Sequence, residues 1–475
     1  MNLDIRELEV LVKETSIKLN LDPDLPEPIT CKIRDIKLNL AKRCRTVDAI
    51  QLSTESTIRV YGLIRQVLQG KAAPGNVELQ ADYWELIGKG PAGGVEEVCN
   101  AKSEVDVLLD NRHLTIRWER YSKIFRAVSI ICGECHGYFR DQGYIELPLQ
   151  NMACTRISPH CTLYRASFVC VSYTTSSIHL VPFSAQVHPP TLVQTPMEDL
   201  SEVFTFPYFG ETACLSQSAQ LYLESCVPAF GDCYSVTHCY RSEKSRTRRH
   251  LAEFIQFEAE FAFIDLSELI NKIESMIVDI SKRVMDKAGD LIHEINPKFV
   301  PPQKPFKRVR YDEALDILNQ WGITKDDLTP FSFGDPITEG VERRLVDRIG
   351  EPVLLTHFPV TFKVFYMQHS VEDPRVTDSV DLLIPGVGEV VGGSMRMTDA
   401  EGLLKGYKEQ GLDPSVCYWY TDLVRDVVIC PTRRFGTFPH GGYRLGFERY
   451  CMWVLGQDHI RNVTLYPRFT SRCLP

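Results

Sequence analysis

Three segments of this 475-residue chain carry residue types that could do chemistry together. The first runs from Tyr240-Arg241-Ser242-Glu243 through Lys244-Ser245-Arg246-Thr247-Arg248-Arg249-His250 to Leu251-Ala252-Glu253-Phe254. A strand ending in Arg and Glu, a loop with five basic residues in seven, and an acidic second strand make a hairpin with a cationic tip. Guanidinium groups clamp phosphate oxygens in pairs, so such a tip suits a polyphosphate. A solvated basic hairpin reads equally well from this stretch alone.

The second segment, DLLIPGVGEVVGGSMR at 381–396, places carboxylates at Asp381 and Glu389 on an apolar strand, ahead of Gly392-Gly393 and Arg396. Buried carboxylates are costly unless paired or metal-bound. Mg²⁺ takes one or two carboxylates plus substrate phosphates, which suits Glu389 with Asp381 nearby. Gly392-Gly393 would let a ligand approach the backbone. A Gly-rich turn between strands is the plain alternative. The third segment, HGGYRLGFER at 440–449, sets glycines through Gly446 on a strand and then Glu448-Arg449 at a helix start. That is a flat shelf for a purine with one cation to clamp phosphate.

These residues need a scaffold, and the patterning supplies one. A helix is expected over about 116–142 and another from about Asp265 to Ile295. In the latter, Leu266, Leu269, Ile270, Ile273, Ile277, Ile280 and Val284 recur at helical spacing. Strand runs with helices grouped around them predict an α+β domain on an antiparallel sheet. Ahead of it, residues 1 to about 20 read as a short amphipathic helix and 22–28 as a Pro-rich linker. Thr57-Ile58-Arg59-Val60-Tyr61 and Val77-Glu78-Leu79-Gln80-Ala81 alternate at period two, predicting a small β domain over 29–100, closed by GKGPAGG at 88–94.

Composition narrows the class. With 44% hydrophobic and 24% charged residues the chain is ordinary globular material, long enough for two or three domains. A net charge of −9 is mildly acidic, and a local basic face still suffices for nucleic acid. The N-terminus lacks a signal-peptide pattern and no run of about 18 apolar residues occurs, so a cytoplasmic protein without a membrane span is expected. The sixteen cysteines are irregularly spaced and read as free thiols. Cys132, Cys135 and His136 spell C-x-x-C-H, but no second pair answers them, so they read as helix residues. Residues 147–187 look foreign to the plan: between Glu146 and Glu198 there is no acidic residue and no lysine. They read either as a surface insertion, which costs little closure entropy, or as a translated non-coding stretch.

Taken together, the segments resemble motifs 2 and 3 of the class II aminoacyl-tRNA synthetases with the metal-binding strand between them. YRSEKSRTRRHLAEFIQFEAE at 240–260, LSQSAQLYLES at 215–225, VGEVVGGSMR at 387–396, YWYTD at 418–422 and HIRNVTLYPRFTSRC at 459–473 are similar to the eukaryotic cytosolic asparaginyl type. Motif 1 is recognisable in PPTLVQT at 189–195, with Pro190 in place of its signature proline. The resemblance covers about 110–146 and 187–475, and 50–100 more loosely. It implies a class II catalytic domain over 110–475, preceded by residues 1–28 and a truncated OB-type, anticodon-binding barrel over 29–100.

The resemblance also implies roles. L-asparagine and ATP would give asparaginyl-adenylate, which charges tRNA(Asn), with Mg²⁺ as cofactor and a homodimer as the assembly. Arg241 would hold the α-phosphate, with Glu243 on the same strand. Arg249 and His250 would touch the ATP phosphates, Phe254 would stack on adenine over the Gly446 floor, and Arg449 would pin the γ-phosphate. Glu389 would coordinate Mg²⁺ with Asp381 nearby. Glu198 and Gln220 would meet the substrate ammonium group, and Arg396 the amino acid. Aspartyl relatives carry a Lys where this chain has Leu223, which favours asparagine, as do Arg246 and the GGSMR ending.

Several positions depart from the family's pattern. The front half of the barrel is not recognisable, 147–187 falls inside motif 1, and 423–434 looks inserted. Glu198 is followed by Asp199-Leu200 instead of Gly-Gly, and Arg444 stands where motif 3 has glycine. A catalytically weakened paralogue that binds tRNA or a protein partner, an aspartyl-type enzyme, and a tRNA-independent asparagine synthetase on the same fold remain the competing readings.

Overall fold

Along Phe254-Ile255-Gln256-Phe257-Glu258-Ala259-Glu260-Phe261 apolar and polar residues alternate, and a strand turns such alternation into two chemically different faces. That strand lies near the middle of the main sheet. The structure, a computed structural model, describes residues 16–18, 30–32, 56–66, 77–91, 94–147, 170–174, 177–181, 184–194, 202–244, 247–415, 417–424 and 437–474. In chain order the strands are β1 Ser16–Lys18, β2 Thr30–Lys32, β3 Thr57–Gln66, β4 Val77–Gly88, β5 Tyr144–Leu147, β6 Cys170–Thr174, β7 Ser177–Val181, β8 Ser184–Val187 and β9 Leu192–Val193. They continue with β10 Thr205–Tyr208, β11 Glu211–Leu215, β12 Cys233–Tyr240, β13 Glu253–Ala262, β14 Lys307–Arg310, β15 Val353–Thr356, β16 Ser379–Ile384, β17 Gly388–Met395 and β18 His440–Gly446. The helices are α1 Val105–Asp110, α2 Arg112–Thr115, α3 Glu119–Asp141, α4 Gln220–Phe230, α5 Leu266–Ile295, α6 Tyr311–Gln320, α7 Glu339–Ile349, α8 Ala400–Glu409, α9 Tyr418–Val424 and α10 Phe447–Val454.

The chain divides into two units, residues 1–122 and 123–474. In the first, the two segments read as strands, β3 and β4, pair in an antiparallel ladder, and a second small ladder pairs β1 with β2. The helix expected over residues 1 to about 20 is therefore corrected at its end. Ser16–Lys18 is a strand that satisfies its backbone by pairing with Thr30–Lys32 across the Pro-rich stretch. The remainder of that expectation lies outside the described residues, as does most of the front of the expected barrel.

In the second unit, among the described residues, a sheet runs in the order β14-β15-β16-β17-β18-β13-β12-β8-β5. Its centre, from β15 to β12, is antiparallel as expected, but β14–β15, β12–β8 and β8–β5 are parallel, so the sheet is mixed. The parallel pair β8–β5 also revises the insertion. Leu147 and Ser184–Val187 belong to the main sheet, and β6–β7 is a separate hairpin between them. Residues 148–169 lie outside the described residues, and so do 425–434 of the second expected insertion.

One face of the sheet carries Phe257, Ala259 and Phe261 from β13, Tyr443 and Leu445 from β18, and Val391 from β17. Helix α5 seals it with Leu269, Ile273, Met276, Ile277 and Ile280, while α3 adds Ile124, Ala127 and Ile131. The α5 stripe is the one read from the sequence, and the helix starts where Asp265 and Glu268 form a capping box. Cys135 of the C-x-x-C-H run packs into this core, and the His136 ring lies edge-on to Phe257. The opposite face holds Gln256, Glu258 and Glu260, and there the site assembles.

Candidate active site

The nucleotide-sized end is built from the β12–β13 hairpin, β17 and the β18–α10 junction. Arg241, Glu243, Arg249, His250, Phe254, Gln256, Glu389, Arg444, Gly446, Glu448 and Arg449 line one pocket, with Ile460 at its edge. The ladder of β12 and β13 extends past Tyr240 because the Arg241 N–H donates to the Ala252 carbonyl at 3.0 Å, which fixes Arg241 beside Phe254. The Arg241 guanidinium carbon lies 5.6 Å from the Phe254 ring centre, a cation–π distance. An aromatic face and a guanidinium side by side suit a base next to a phosphate.

Arg449 sits on the first turn of α10, and its Nη1 donates to the Glu389 carbonyl at 3.0 Å and to the Glu389 carboxylate at 3.1 Å. Arg249 is buried and pairs with Glu342 of α7 at 2.8 Å, with Glu339 at 3.7 Å. It lines the pocket while α7 holds its charge. His250 is driven down to about 4 by burial and by the cations Arg449, Arg249 and Arg241, so it is neutral at pH 7. A neutral imidazole there donates or accepts a hydrogen bond without adding charge.

The two carboxylates read from the sequence converge because of a bulge. Asp381 pairs with Gly392 and Leu382 with Val391, but Leu383 pairs with Glu389, leaving Val390 without a partner in the register. The extra residue resets the alternation and turns Glu389 onto the same face as Gly392 and Asp381. A Cβ on Gly392 would lie 3.3 Å from Glu389 Oε1 and 3.4 Å from Asp381 Oδ1. Gly392 thus leaves the room both carboxylates use. A Cβ on Gly393 would point the other way, 3.2 Å from Tyr443 Cβ and 3.5 Å from Ile273 Cδ1, while Gly393 itself lines the second pocket together with Gly392.

Burial alone would raise Glu389, but Arg449, Arg249, Lys363 and Arg444 outweigh it and hold the carboxyl far below the usual range. Burial raises Asp381 despite Lys363, whose Nζ sits 2.9 Å away. Among the described residues no group of three His, Cys, Asp or Glu could hold a metal ion by itself. The donor set is two converging carboxylates beside a phosphate-sized pocket. That fits a hard cation whose other ligands are phosphate oxygens and water.

A second pocket adjoins the first and is lined by Gln220, Lys363, Met367, Asp381, Glu389, Gly392, Arg396 and Arg444. Behind it lies a buried ionic network. Arg396 Nε donates to Glu260 Oε1 at 3.0 Å, its Nη2 reaches the same carboxylate, and its Nη1 donates to Ser394 Oγ. Glu224 lies 3.7 Å from Arg396 and accepts from Tyr420 Oη at 2.7 Å, Gln220 Nε2 at 3.0 Å and His440 Nε2 at 3.3 Å. Burial would raise Glu224, but the His440 hydrogen bond and the Arg396 charge hold it below its ordinary value. Burial and the neighbouring Glu224 push Glu260 up to about 7 against the pull of Arg396.

Of the residues singled out in the sequence, Arg241, Glu243, Arg249, His250, Phe254, Glu389, Gly446 and Arg449 meet at the first pocket. Gln220, Arg396, Asp381 and again Glu389 meet at the second. Glu198 and Arg246 lie outside the described residues. Leu223 is not in the pocket lining: it is fully buried among Val187, Ala219, Val227 and Cys233. The polar residue that α4 turns toward the network is Glu224, one helical turn from Gln220, and sequence reading missed it. The i, i+4 spacing of Gln220 and Glu224 was the available signal. Also missed were Glu260, readable as an acidic residue on the Gln256 face of its strand, and Lys363 and His440. Tyr420 lies within YWYTD, a motif recognised without a role, and its hydroxyl supports Glu224.

Comparison with known proteins agrees with this geometry. The sequence model of the family described as "tRNA synthetases class II (D, K and N)" matches residues 183–470. The chain is 41% identical to the cytoplasmic asparagine–tRNA ligase of Bos taurus over 99% of its own length and 82% of that protein. It is 45% identical to the cytoplasmic asparagine–tRNA ligase of Homo sapiens over 91% of its length and 70% of that protein. Among solved structures, the asparaginyl-tRNA synthetase of Entamoeba histolytica in complex with asparaginyl-adenylate superposes with a TM-score of 0.77 at 35% identity, covering 98% of this chain and 93% of that one. The family match spans more than half of the sequence and takes in both pockets, so the chain belongs to the class II tRNA synthetases.

Proposed function

We propose that the chain is a cytoplasmic asparagine–tRNA ligase that activates L-asparagine with ATP and transfers it to tRNA(Asn). The observation that carries the choice of amino acid is the buried Glu224–Arg396–Glu260 network behind the second pocket. One guanidinium stands against two carboxylates there, with His440 as the further titratable group. A neutral carboxamide fits such a pocket, because its carbonyl accepts from Arg396 and its NH₂ donates toward the acidic side. The side-chain carboxylate of aspartate would bring a further negative charge beside the Glu224 and Glu260 carboxyl groups in a dry site, where like charges repel strongly. Gln220 spends its Nε2 on Glu224, which turns its Oε1 to accept from the substrate ammonium.

In the first step a carboxylate oxygen of asparagine attacks the α-phosphorus of ATP in line. An O–P bond forms, the bond to the β-phosphate oxygen breaks, and pyrophosphate leaves with the electron pair. Arg241 stabilises the negative charge that builds on the α-phosphate oxygens, while Arg449 and His250 hold the pyrophosphate portion. Phe254 stacks on adenine and orients the nucleotide. Glu389, with Asp381 beside it, would hold Mg²⁺ and so supply charge neutralisation at the phosphates. In the second step the terminal ribose hydroxyl of tRNA attacks the acyl carbon and AMP leaves.

A homodimer belongs to this reading, and apolar surface on β9–β11 supports it: Leu192, Phe204, Tyr208 and Phe209 are exposed there. Sedimentation at two protein concentrations tests it. The deciding assay for function is exchange of labelled pyrophosphate into ATP with asparagine and, in parallel, aspartate. Exchange with asparagine alone is expected, and exchange with aspartate alone overturns the assignment.

A further inference from the structure

The nucleotide pocket and the amino-acid pocket share two lining residues among those described, Glu389 and Arg444. Glu389 is anionic and faces Arg449, whereas Arg444 is a cation at the seam. Its position follows from the register. Arg444 lies opposite Gly392 on β17 and opposite Glu258 on β13, on the site face of the sheet. Directly opposed residues share a face, and the opposing glycine carries no side chain to hold Arg444 back from the seam. The Glu389 and Asp381 carboxylates, gathered around Gly392, both feel the Arg444 charge.

The seam is where two anions must meet, the substrate carboxylate and the α-phosphate. Bringing them together is opposed by charge, and a planar guanidinium can donate to both at once. We propose that Arg444 is a catalytic residue that donates to the α-phosphate from the amino-acid side, opposite Arg241, and draws the attacking carboxylate into line. This inference rests on the ligase reading above and deepens it. Arg444 transfers no proton: the O–P bond forms and pyrophosphate leaves as described, with the guanidinium charged throughout.

The test is isothermal titration of the full chain with AMP and with adenosine, for the wild type, Arg444→Gly and Arg444→Lys, each checked for folding by circular dichroism. Losing a hydrogen bond to a charged group weakens AMP binding by about ten- to a hundredfold in Arg444→Gly. Adenosine, which lacks the phosphate, changes by less than about twofold on the same argument. Arg444→Lys keeps the charge without the planar fork and falls between, and it carries the test if the glycine variant does not fold. Tighter binding of both ligands by Arg444→Gly would show that Arg444 obstructs the adenine floor, and overturns the proposal. Unchanged binding of both would show that it serves only the neighbouring carboxylates, and overturns it equally. Wild-type protein that binds AMP but gives no asparagine-dependent exchange would refute the ligase reading while leaving the phosphate contact measured. Wild-type protein that binds no AMP would overturn both.

Discussion

Replacing Glu224 by Gln keeps the shape of the side chain and removes its charge, at a position only 3% exposed. Three donors converge on that carboxylate, from Tyr420, Gln220 and His440, with Arg396 at 3.7 Å. A carboxamide has one oxygen to accept and an NH₂ that must face donors, so at least one of these hydrogen bonds is lost. A hydrogen bond to a charged group is worth about 1.5–3 kcal/mol, and leaving Arg396 with less compensation adds to that. About 3 kcal/mol transferred to substrate recognition is about two orders of magnitude in kcat/KM for asparagine. Pyrophosphate exchange against asparagine concentration measures it, and AMP binding by calorimetry is the control, since Glu224 does not line the nucleotide pocket. Aspartate should gain relative to asparagine, because one repelling charge is gone. An asparagine kcat/KM within about threefold of wild type would refute the assignment of this network to specificity, since the loss of even one such bond costs more.

The same variant has a pH signature. Glu224 is held below its ordinary value near 4.5 in the folded protein, so its stabilisation is present above that pH and is lost as the pH falls through the folded value. Glu224→Gln therefore flattens the acid side of the stability curve. The comparison belongs below pH 4.5, because Glu260, raised to about 7, slopes the opposite way above it.

Three further outcomes are expected. Arg241→Ala abolishes asparagine-dependent pyrophosphate exchange while the thermal unfolding midpoint stays within a few degrees; wild-type exchange would remove Arg241 from the reaction. Gly442→Ala places a Cβ against the Glu260 carboxylate and the Ala259 carbonyl, so Arg396 loses its bidentate partner. Asparagine KM should then rise by about tenfold or more, as expected for a charge-assisted pair disturbed, with AMP affinity preserved; equal loss of both would mean that the sheet, rather than the pocket, is damaged. Glu448 is raised to about 7 by burial although it accepts the Ile255 N–H. Its unfolded form ionises first, so wild-type stability falls between pH 4.5 and 7, by about 3 kcal/mol at 1.36 kcal/mol per unit. Glu448→Gln should be flatter over that window in chemical denaturation, and an unchanged slope would contradict the burial argument.

What was legible in the sequence was local. The α5 stripe, the alternation along β13 and the cationic hairpin tip each follow from spacing along a single element, because helix and strand periods translate spacing directly into faces. Gln220, Arg396 and the roles of the motif residues of the nucleotide pocket came instead from the resemblance to the family's motifs. The end of the first predicted helix and the extent of the 147–187 insertion failed for the converse reason. Whether Ser16–Lys18 or Ser184–Val187 is a strand depends on a partner elsewhere in the chain, which no window contains. Tertiary structure alone decided which face Glu389 joins, since one unpaired Val390 resets the alternation. It alone assembled Glu224, Glu260, Arg396, Tyr420 and His440, residues from four separate elements and the end of β17 whose charges are tolerable only together. It also put Arg444 at the seam of two pockets. The residue opposite it in the ladder is Gly392, where a side chain would fill the space that the Glu389 and Asp381 carboxylates use.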